Sequence, residues 1–517
     1  MHYKNPIQNL DYVVINNARM ANTAKRLKEN HEGDQDRISA LPESILHHIL
    51  SFLELKQAIK SSILSSKWRY VWTSLPFLYF DFGLFETKNL KQSKAKSFEK
   101  FVDRVFQLRD TSSVIERLNL NCSGFISPDP QNLINSIYTW ILIGLKRKVK
   151  ELYLDVPFGP KHFKLPSYIF MCESLTKLEL RGSAAPQLCI FLSNLPNAMS
   201  LPRLESLVLQ SVQFGGDDTP NNLFSKCPVL ESLTITHCVF QSNLVITSPK
   251  LKHLMIDLYF PGTNKKDSTI KLNTPSLLSF RCKDYMSRDY YVETYLSVLV
   301  KAELDMTPGE FDANGILQLE GNSRSLYEQR MMKLLKAFHT IEDLTLSVWF
   351  FEINAWDCSA IYPVYTTSMC NLRCLRLGAG LADRSLKMIL NLLMNSLQIE
   401  SLVIEINKAI FTTPPSPYWD EVDLTTSANY ESLWETQEPY VQYMMHELKF
   451  AEVRGVQGRL NELVLLQFLL KQCTVLEKVL IYLVDEQSPN TKRKATKFFH
   501  KLASFPRASS TSAILCV

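Results

Sequence analysis

Residues 204–209 read LESLVL, and residues 230–235 read LESLTI. In each segment apolar residues occupy the first, fourth and sixth positions, and the middle leucines, Leu207 and Leu233, are 26 residues apart. The last two apolar residues lie two apart, which places both side chains on one face of a β-strand. The first apolar residue of each segment lies in the turn that leads into the strand. The two segments therefore predict a repeated strand with one buried face.

The same pattern recurs along most of the chain, with exchanges among Leu, Ile, Val and Phe. Spacings near 26 residues fit the roughly 20–29 residues of a leucine-rich repeat, in which parallel strands stack into a curved solenoid and each repeat buries its leucines against its neighbours. The middle residues of the other copies are Leu118, Leu152, Leu178, Leu254, Phe280, Ala302, Leu344, Leu375 and Leu402.

Two intervals interrupt the repeats. The step from Ala302 to Leu344 is too long for one unit, so a loop is expected within residues 307–330, followed by a helical pattern at 331–338. Residues 407–444 carry four prolines, three of them at 414, 415 and 417, and many acidic side chains, which indicates an excursion from the solenoid.

A different pattern stands near the start of the chain, where residues 36–72 read DRISALPESILHHILSFLELKQAIKSSILSSKWRYVW. Pro42 suits the first turn of a helix, and the helix that follows is apolar on more than one face. One face can pack on two short helices, near 56–64 and 65–73. A module of about 45 residues buries too little surface to be comfortably stable alone, so the other face favours a partner over an ordinary three-helix core.

This segment resembles an F-box, the helical module that joins a protein to a cullin-type ubiquitin ligase. The resemblance implies contact with a Skp-type adaptor, which in turn holds the cullin. It departs from the usual pattern at Glu54, where relatives commonly carry proline, and at Ser66, where they often carry a basic residue. The expected adaptor-binding residues are Leu41, Pro42, Ile45, Ile49, Leu53, Ile63, Leu64, Trp68 and Trp72.

From His446 the sequence HELKFAEVRGVQGRLNELVLLQFLLKQCTVLEKVLIYL resembles the FBD domain of a large plant family. Its periodicities predict a strand, a turn at Gly455 and Gly458, a helix near 461–471 and a strand at 479–483. Residues 513–517 resemble the closing strand of that family. Such a unit can cover the open end of a solenoid.

Together these segments resemble a plant F-box/LRR/FBD protein. We expect an α/β fold, with a three-helix F-box followed by an irregular leucine-rich-repeat solenoid and capped by an α/β FBD unit. The expected domains are a flexible tail at 1–34, the F-box at 35–80, the solenoid at 81–440 with a loop insertion near 407–444, and the FBD domain at 441–517.

Composition narrows the function. Lys and Arg number 57 against 52 Asp and Glu, a balance that does not favour nucleic acid as a partner. Eleven cysteines without a Cys-x-x-Cys pair favour a reducing compartment, the cytoplasm or nucleus. No apolar run has membrane-spanning length. The sequence contains no Gly-x-Ser-x-Gly nucleophile elbow, no His-Glu-x-x-His zinc-binding helix and no Walker-type phosphate loop. We therefore expect the protein to have no catalytic residues, no bound metal and no cofactor.

The sequence therefore indicates a non-catalytic substrate receptor of a Skp–cullin–F-box ligase. A leucine-rich-repeat scaffold with a decayed F-box is the alternative, and a small-molecule ligand on the repeats stays open. The mixed charge of the strand positions that flank the leucines favours a protein target. The candidate substrate-binding residues are Lys177, Glu179, Arg181, Gln210, Thr234, Thr236, His253, Asp257, Arg281 and Lys283.

Overall fold

The fold was analysed in a computed structural model of the chain. It separates into two compact units, Met1–Gln241 and Ser242–Val517, here called unit 1 and unit 2. The structure describes residues 37–85, 91–124, 130–156, 163–182, 190–192, 195, 199–215, 219–240, 243–259, 268–293, 296–308, 323–338, 340–354, 369, 371–381, 383–406, 445–484 and 489–516. The expected tail at 1–34 and loop insertion at 407–444 lie outside these residues.

Unit 1 begins with the F-box-like helices α1 (Glu43–Ser51), α2 (Leu55–Lys60) and α3 (Trp68–Val71). Pro42 occupies the N-cap of α1, where its missing N–H costs nothing. Short 3₁₀ turns extend α2 and α3 at Ser61–Ile63 and Trp72–Ser74. The predicted three-helix module is thus present, with shorter helices than expected.

The helical module runs directly into the repeats. Leu75 is 3 % exposed, and strand β1 (Phe77–Asp81) pairs in parallel with β2 (Arg117–Asn121). Leu75, Leu78 and Phe80 carry the same apolar spacing as the predicted repeats, although they are not among the predicted copies. The first repeat strand therefore starts inside the range expected for the F-box.

The rest of unit 1 continues this arrangement. Its main parallel sheet has the order β1-β2-β3-β5-β7-β9, and a smaller sheet has the order β4-β6-β8. The remaining strands are β3 (Glu151–Asp155), β4 (Phe163–Lys164), β5 (Lys177–Arg181), β6 (Ile190–Leu192), β7 (Ser206–Gln210), β8 (Val212–Phe214) and β9 (Ser232–Thr236). The helices are α4 (Lys91–Leu108), α5 (Pro130–Lys146) and α6 (Thr219–Ser225), and a 3₁₀ turn covers Ser167–Met171.

Unit 2 repeats the scheme with a main parallel sheet of order β11-β13-β15-β16-β17-β18-β19-β20-β21 and a smaller sheet β10-β12-β14. Its strands are β10 (Leu244–Thr247), β11 (His253–Asp257), β12 (Thr269–Asn273), β13 (Ser279–Tyr285), β14 (Asp289–Val292), β15 (Lys301–Thr307), β16 (Asp343–Leu346), β17 (Cys374–Ala379), β18 (Ser401–Ile406), β19 (Phe450–Val456), β20 (Lys478–Leu483) and β21 (Ala513–Cys516). Its helices are α7 (Ser323–Lys336), α8 (Val348–Asn354), α9 (Asp383–Met394), α10 (Leu460–Gln472) and α11 (Pro489–Ala503).

The register of the main sheets aligns the apolar positions of successive repeats. Leu207 stands opposite Leu233, and Leu152 opposite Leu178, and all four side chains are fully buried. Burial of each such side chain contributes roughly 1.5–3 kcal/mol. The fold class predicted from the sequence, α/β with a helical F-box before leucine-rich repeats, is confirmed.

Two details differ from the prediction. Where only coil and short helix were expected between the main strands, both units carry short strands that form the smaller sheets. Helix α7 begins at Ser323, inside the interval that was expected to hold a loop, although residues 309–322 of that interval lie outside the described ones.

The C-terminal block follows the predicted order of strand, turn, helix and strand. The turn depends on Glu462, whose buried carboxylate accepts hydrogen bonds from the backbone N–H groups of Gln457, Gly458 and Arg459. Burial raises the pKa of Glu462, although these three donors favour the ionised form. Gly455 adopts φ +78°, and a Cβ there would lie 2.5 Å from the carbonyl oxygen of Ile406.

Gly455→Ala should destabilise unit 2 for two reasons, the left-handed backbone and the collision with a backbone oxygen. Gly124→Ala is the matched control, because Gly124 also has positive φ but has nothing within 4 Å of the position that a Cβ would take. We expect a loss of about 1–2 kcal/mol for the control and about 2 kcal/mol more for Gly455→Ala, measured by urea denaturation. Equal losses would show that the close approach to Ile406 is unimportant.

Candidate functional site

The helical module exposes a group of large apolar side chains that its own core does not use. Phe52 is 76 % exposed and Leu64 is 66 % exposed. We call the group the F-box apolar surface. Its members are Ile38, Ile45, Ile49, Phe52, Leu53, Ile63 and Leu64.

Most of the predicted adaptor-binding residues lie on or beside this surface, with Pro42 exposed and Leu41 half-buried. Trp68 and Trp72 differ, because they are only 5 % and 6 % exposed. Their rings fill the interior of the module. We therefore expect them to support the shape of the module and not to touch the adaptor directly. Adaptor contact by any of these residues stays a prediction.

Ile38 and Phe52 belong to the surface but are absent from the predicted site. Phe52 is the C-cap of α1, and His48 packs edge-on against its ring. The sequence pattern could have identified Phe52, because it lies at helical spacing from Ile45 and Ile49. Only the fold shows which apolar side of α1 remains exposed to solvent.

Polar contacts hold the module together around this surface. The Lys67 ammonium donates to the Leu41 carbonyl oxygen at 2.6 Å. The Ser74 hydroxyl donates to Glu43 at 2.7 Å, and His47 Nε2 lies 3.0 Å from the same hydroxyl. These contacts join the start of α1 to the end of the module, where the first repeat strand begins.

The two departures from the F-box pattern leave the backbone intact. Glu54 is the N-cap of α2, with φ −58° and ψ 143°, a conformation that proline also adopts. Ser66 is exposed, and the basic residue Lys67 follows it. Glu54 and Ser66 therefore change the chemistry of the surface at two points but preserve the turn geometry.

A second candidate surface is the open face of each main sheet, which carries the strand positions that flank the buried leucines. In unit 1 the predicted residues Lys177, Glu179 and Arg181 come together on β5. Glu179 is 8 % exposed, and both cations pair with its carboxylate. Of the other predicted positions in unit 1, Gln210, Thr234 and Thr236 are half-buried on β7 and β9.

In unit 2 the predicted cations are also paired across neighbouring strands. Arg281 lies 3.0 Å from Glu303, and Lys283 lies 3.8 Å from Asp305. The other two predicted residues of this unit lie on β11: His253 is exposed and contacts Ser279 at 2.8 Å, and Asp257 is half-buried.

The open face of β1–β3 was not among the predicted positions. Arg117 forms a two-pronged contact with Glu151, at 2.6 and 3.2 Å, and its guanidinium lies over the Phe77 ring. The Tyr153 hydroxyl donates to the same carboxylate at 2.8 Å. Tyr79, which is 44 % exposed, donates to Asp81 at 2.9 Å.

Asp155 is the most perturbed carboxylate of this face. Its pKa is raised to about 6, mainly by burial; Arg181 opposes the rise, and the charges of Asp81 and Glu179 add to it. The Asp155 carboxylate has no hydrogen bond or ion pair within the described part of the chain. Few favourable contacts from the described residues therefore stabilise the ionised carboxylate of Asp155.

Within the described ranges, no group of His, Cys, Asp and Glu is arranged to hold a metal ion. The described cysteines form no disulfide bond, and burial raises the pKa of the Cys227, Cys282 and Cys473 thiols, which disfavours reactive thiolates. The same ranges hold no helix with both the length and the apolar character needed to span a bilayer.

Asp155→Asn should stabilise the protein at neutral pH. A folded pKa near 6 exceeds the unfolded value near 3.9, so the native state binds the proton more tightly, and stability falls as the pH rises from about 4 to 6. The variant lacks this penalty. We expect a gain of about 1 kcal/mol at pH 7.5, discounted for solvent screening, that shrinks towards pH 4.5 in urea denaturation.

Asp305→Asn is the control, because Asp305 forms only an exposed pair with Lys283 and such pairs contribute little. Equal or lower stability of Asp155→Asn at pH 7.5 would contradict the uncompensated charge.

Comparison with known proteins identifies the two regions of the chain that carry these surfaces. Residues 38–80 match the F-box domain, and residues 137–356 match the LRR repeats of the FBD-associated F-box protein At5g56370. The F-box/FBD/LRR-repeat protein At1g78750 of Arabidopsis thaliana is 26 % identical over 95 % of this chain and 98 % of its own length.

Two further Arabidopsis thaliana relatives support the assignment. The F-box/LRR-repeat protein At3g58930 is 30 % identical over 72 % of this chain and 76 % of its own length. The FBD-associated F-box protein At4g10400 is 33 % identical over 48 % of this chain and 56 % of its own length. With its helical module, its repeat sheets and these relatives, the chain belongs to the plant F-box/LRR/FBD family.

Proposed function

We propose that this protein is the substrate-recognition subunit of a Skp–cullin–F-box ubiquitin ligase. The F-box apolar surface would bind the Skp-type adaptor, the adaptor would hold the cullin, and the open face of the repeats would bind a target protein. The observation that carries the proposal is the concentration of exposed Ile, Leu and Phe side chains on one small helical module.

The physical support is the cost of leaving such a surface in water. Each apolar Å² removed from solvent contributes about 25 cal/mol, and contiguous exposed apolar patches on a folded protein mark interaction sites. Ile63 and Leu64 are each more than 60 % exposed, although Trp68 and Trp72 nearby are buried. The module therefore has a completed core and apolar side chains left over for a partner.

The proposed role is to supply proximity. A target held on the repeats is brought close to the ubiquitin-charged enzyme, which raises the effective concentration of the reacting groups. The chemistry belongs to that other enzyme, so the proposed function needs neither a catalytic residue nor a cofactor in this chain. The lack of disulfide bonds among the described cysteines fits the cytoplasm or the nucleus as the proposed compartments.

Exposed and buried F-box residues should respond differently to substitution. Ile63→Ala with Leu64→Ala should keep the free energy of unfolding within about 0.5 kcal/mol but weaken adaptor binding by about tenfold or more. Trp68→Ala should destabilise the protein by about 3–5 kcal/mol, because it empties the module's core. Calorimetric titration of purified adaptor together with urea denaturation separates the two effects.

The rival function is a scaffold that binds partners through its repeats after the F-box has lost the adaptor, and Glu54 and Ser66 are its support. Pull-down from plant extract with the full chain, and with Leu41→Ala/Pro42→Ala, decides between the two. We expect the native chain to recover adaptor and cullin and the double variant to lose them. If neither form recovers them, the receptor function is wrong and the scaffold stands.

A further inference from the structure

Most charges on the open faces are already neutralised by neighbours. In unit 2, Arg281 pairs with Glu303, Lys283 with Asp305, and Asp343 with both Lys301 and Arg376; in unit 1, Glu179 pairs with Lys177 and Arg181. A target that contacts these groups must compete with existing ion pairs. Such positions give little net attraction to a ligand of either sign.

The open face of β1–β3 differs in its charge. Its nine positions hold one cation, Arg117, and three carboxylates, of which Glu151 is bound by that arginine. Within the described residues, the donors of hydrogen bonds to Asp81 are all neutral: the Tyr79 hydroxyl, the Asn121 amide and a backbone N–H. Asp155 lies two strands away, and the cation that acts on it among the described residues is Arg181, which is itself bound to Glu179. Negative charge therefore remains on this face.

Aromatic rings lie beside this negative charge. Phe77 is 36 % and Tyr79 is 44 % exposed, and both project from the first strand, next to the F-box. Glu54 at the start of α2 is close enough for its charge to contribute to the raised pKa of Tyr79. Glu54 thus adds a further carboxylate near the exposed Tyr79 ring.

We propose that the open face of β1–β3 docks a lysine- or arginine-bearing segment of the target protein. The aliphatic stem of the basic side chain would lie on Tyr79, because Arg117 already covers the Phe77 ring, and its cationic head would face Asp81 and Asp155. An acidic segment or a nucleic-acid backbone would be repelled by the same carboxylates. The inference rests on the proposed function, because the docked segment is that of the ligase target.

Selection of a random twelve-residue peptide library displayed on phage, with the immobilised full chain as bait, tests this surface. We expect the enriched peptides to carry Lys or Arg beside an apolar residue. Their recovery should fall about tenfold or more on Asp81→Asn/Asp155→Asn and on Tyr79→Ala, and should fall as salt is raised. Asp305→Asn, which removes a carboxylate from the open face of unit 2, should retain them.

Acidic or charge-neutral selected peptides, equal recovery on the native chain and the double variant, or no enrichment at all would each overturn the docking surface. Adaptor pull-down with the same double variant distinguishes the two proposals. If the adaptor is recovered and peptide selection fails, only the docking surface is wrong. If the adaptor is not recovered by the native chain either, the receptor function itself fails.

Discussion

The structure depends on the stacking of buried leucines from one parallel strand to the next. In unit 1, Leu118, Leu152, Leu178, Leu207 and Leu233 follow one another in register across five strands, and each is fully buried. No single strand could bury these side chains alone, so every repeat is stable only through its neighbours. The alternate positions on the same strands make no such contribution and are free to carry a binding surface.

The helical module uses the same constraint. It is too small to bury its apolar residues well, and its last turn leads within two residues into β1, whose Leu78 and Phe80 join the leucine stack. Backbone hydrogen bonds from Asp110 to Thr73, and from Arg117 to Pro76, fix the junction. The repeats thereby stabilise the module and leave its remaining apolar side chains exposed.

Periodicity predicted the fold well, because it records which side chains are buried. The strand cores, the C-terminal helix with its glycine turn, and the apolar stripe of α1 all follow from spacing along the chain. Leu75, Leu78 and Phe80 carried the same signal and could have been found by it. The small second sheet of unit 1 could not, since Phe163–Lys164 and Ile190–Leu192 are too short for a period to show.

The candidate sites were less predictable, because they depend on contacts between residues that are distant in the sequence. Spacing selected Lys177, Glu179 and Arg181 as available charges, but the three side chains lie on one face of β5 and pair with one another. Spacing likewise placed Trp68 and Trp72 on a helix face without showing that this face points inward.

The same limit explains why Asp155 was overlooked. Its sequence neighbours are ordinary. Only the neighbouring strands show that Arg181 is bound to Glu179 and that the charge of Asp81 contributes to the raised pKa of Asp155. A carboxylate left uncompensated at a cost to stability is more informative about binding than a larger number of charges that are already paired. On this sheet, the positions with the fewest internal partners are those at which a ligand gains the most.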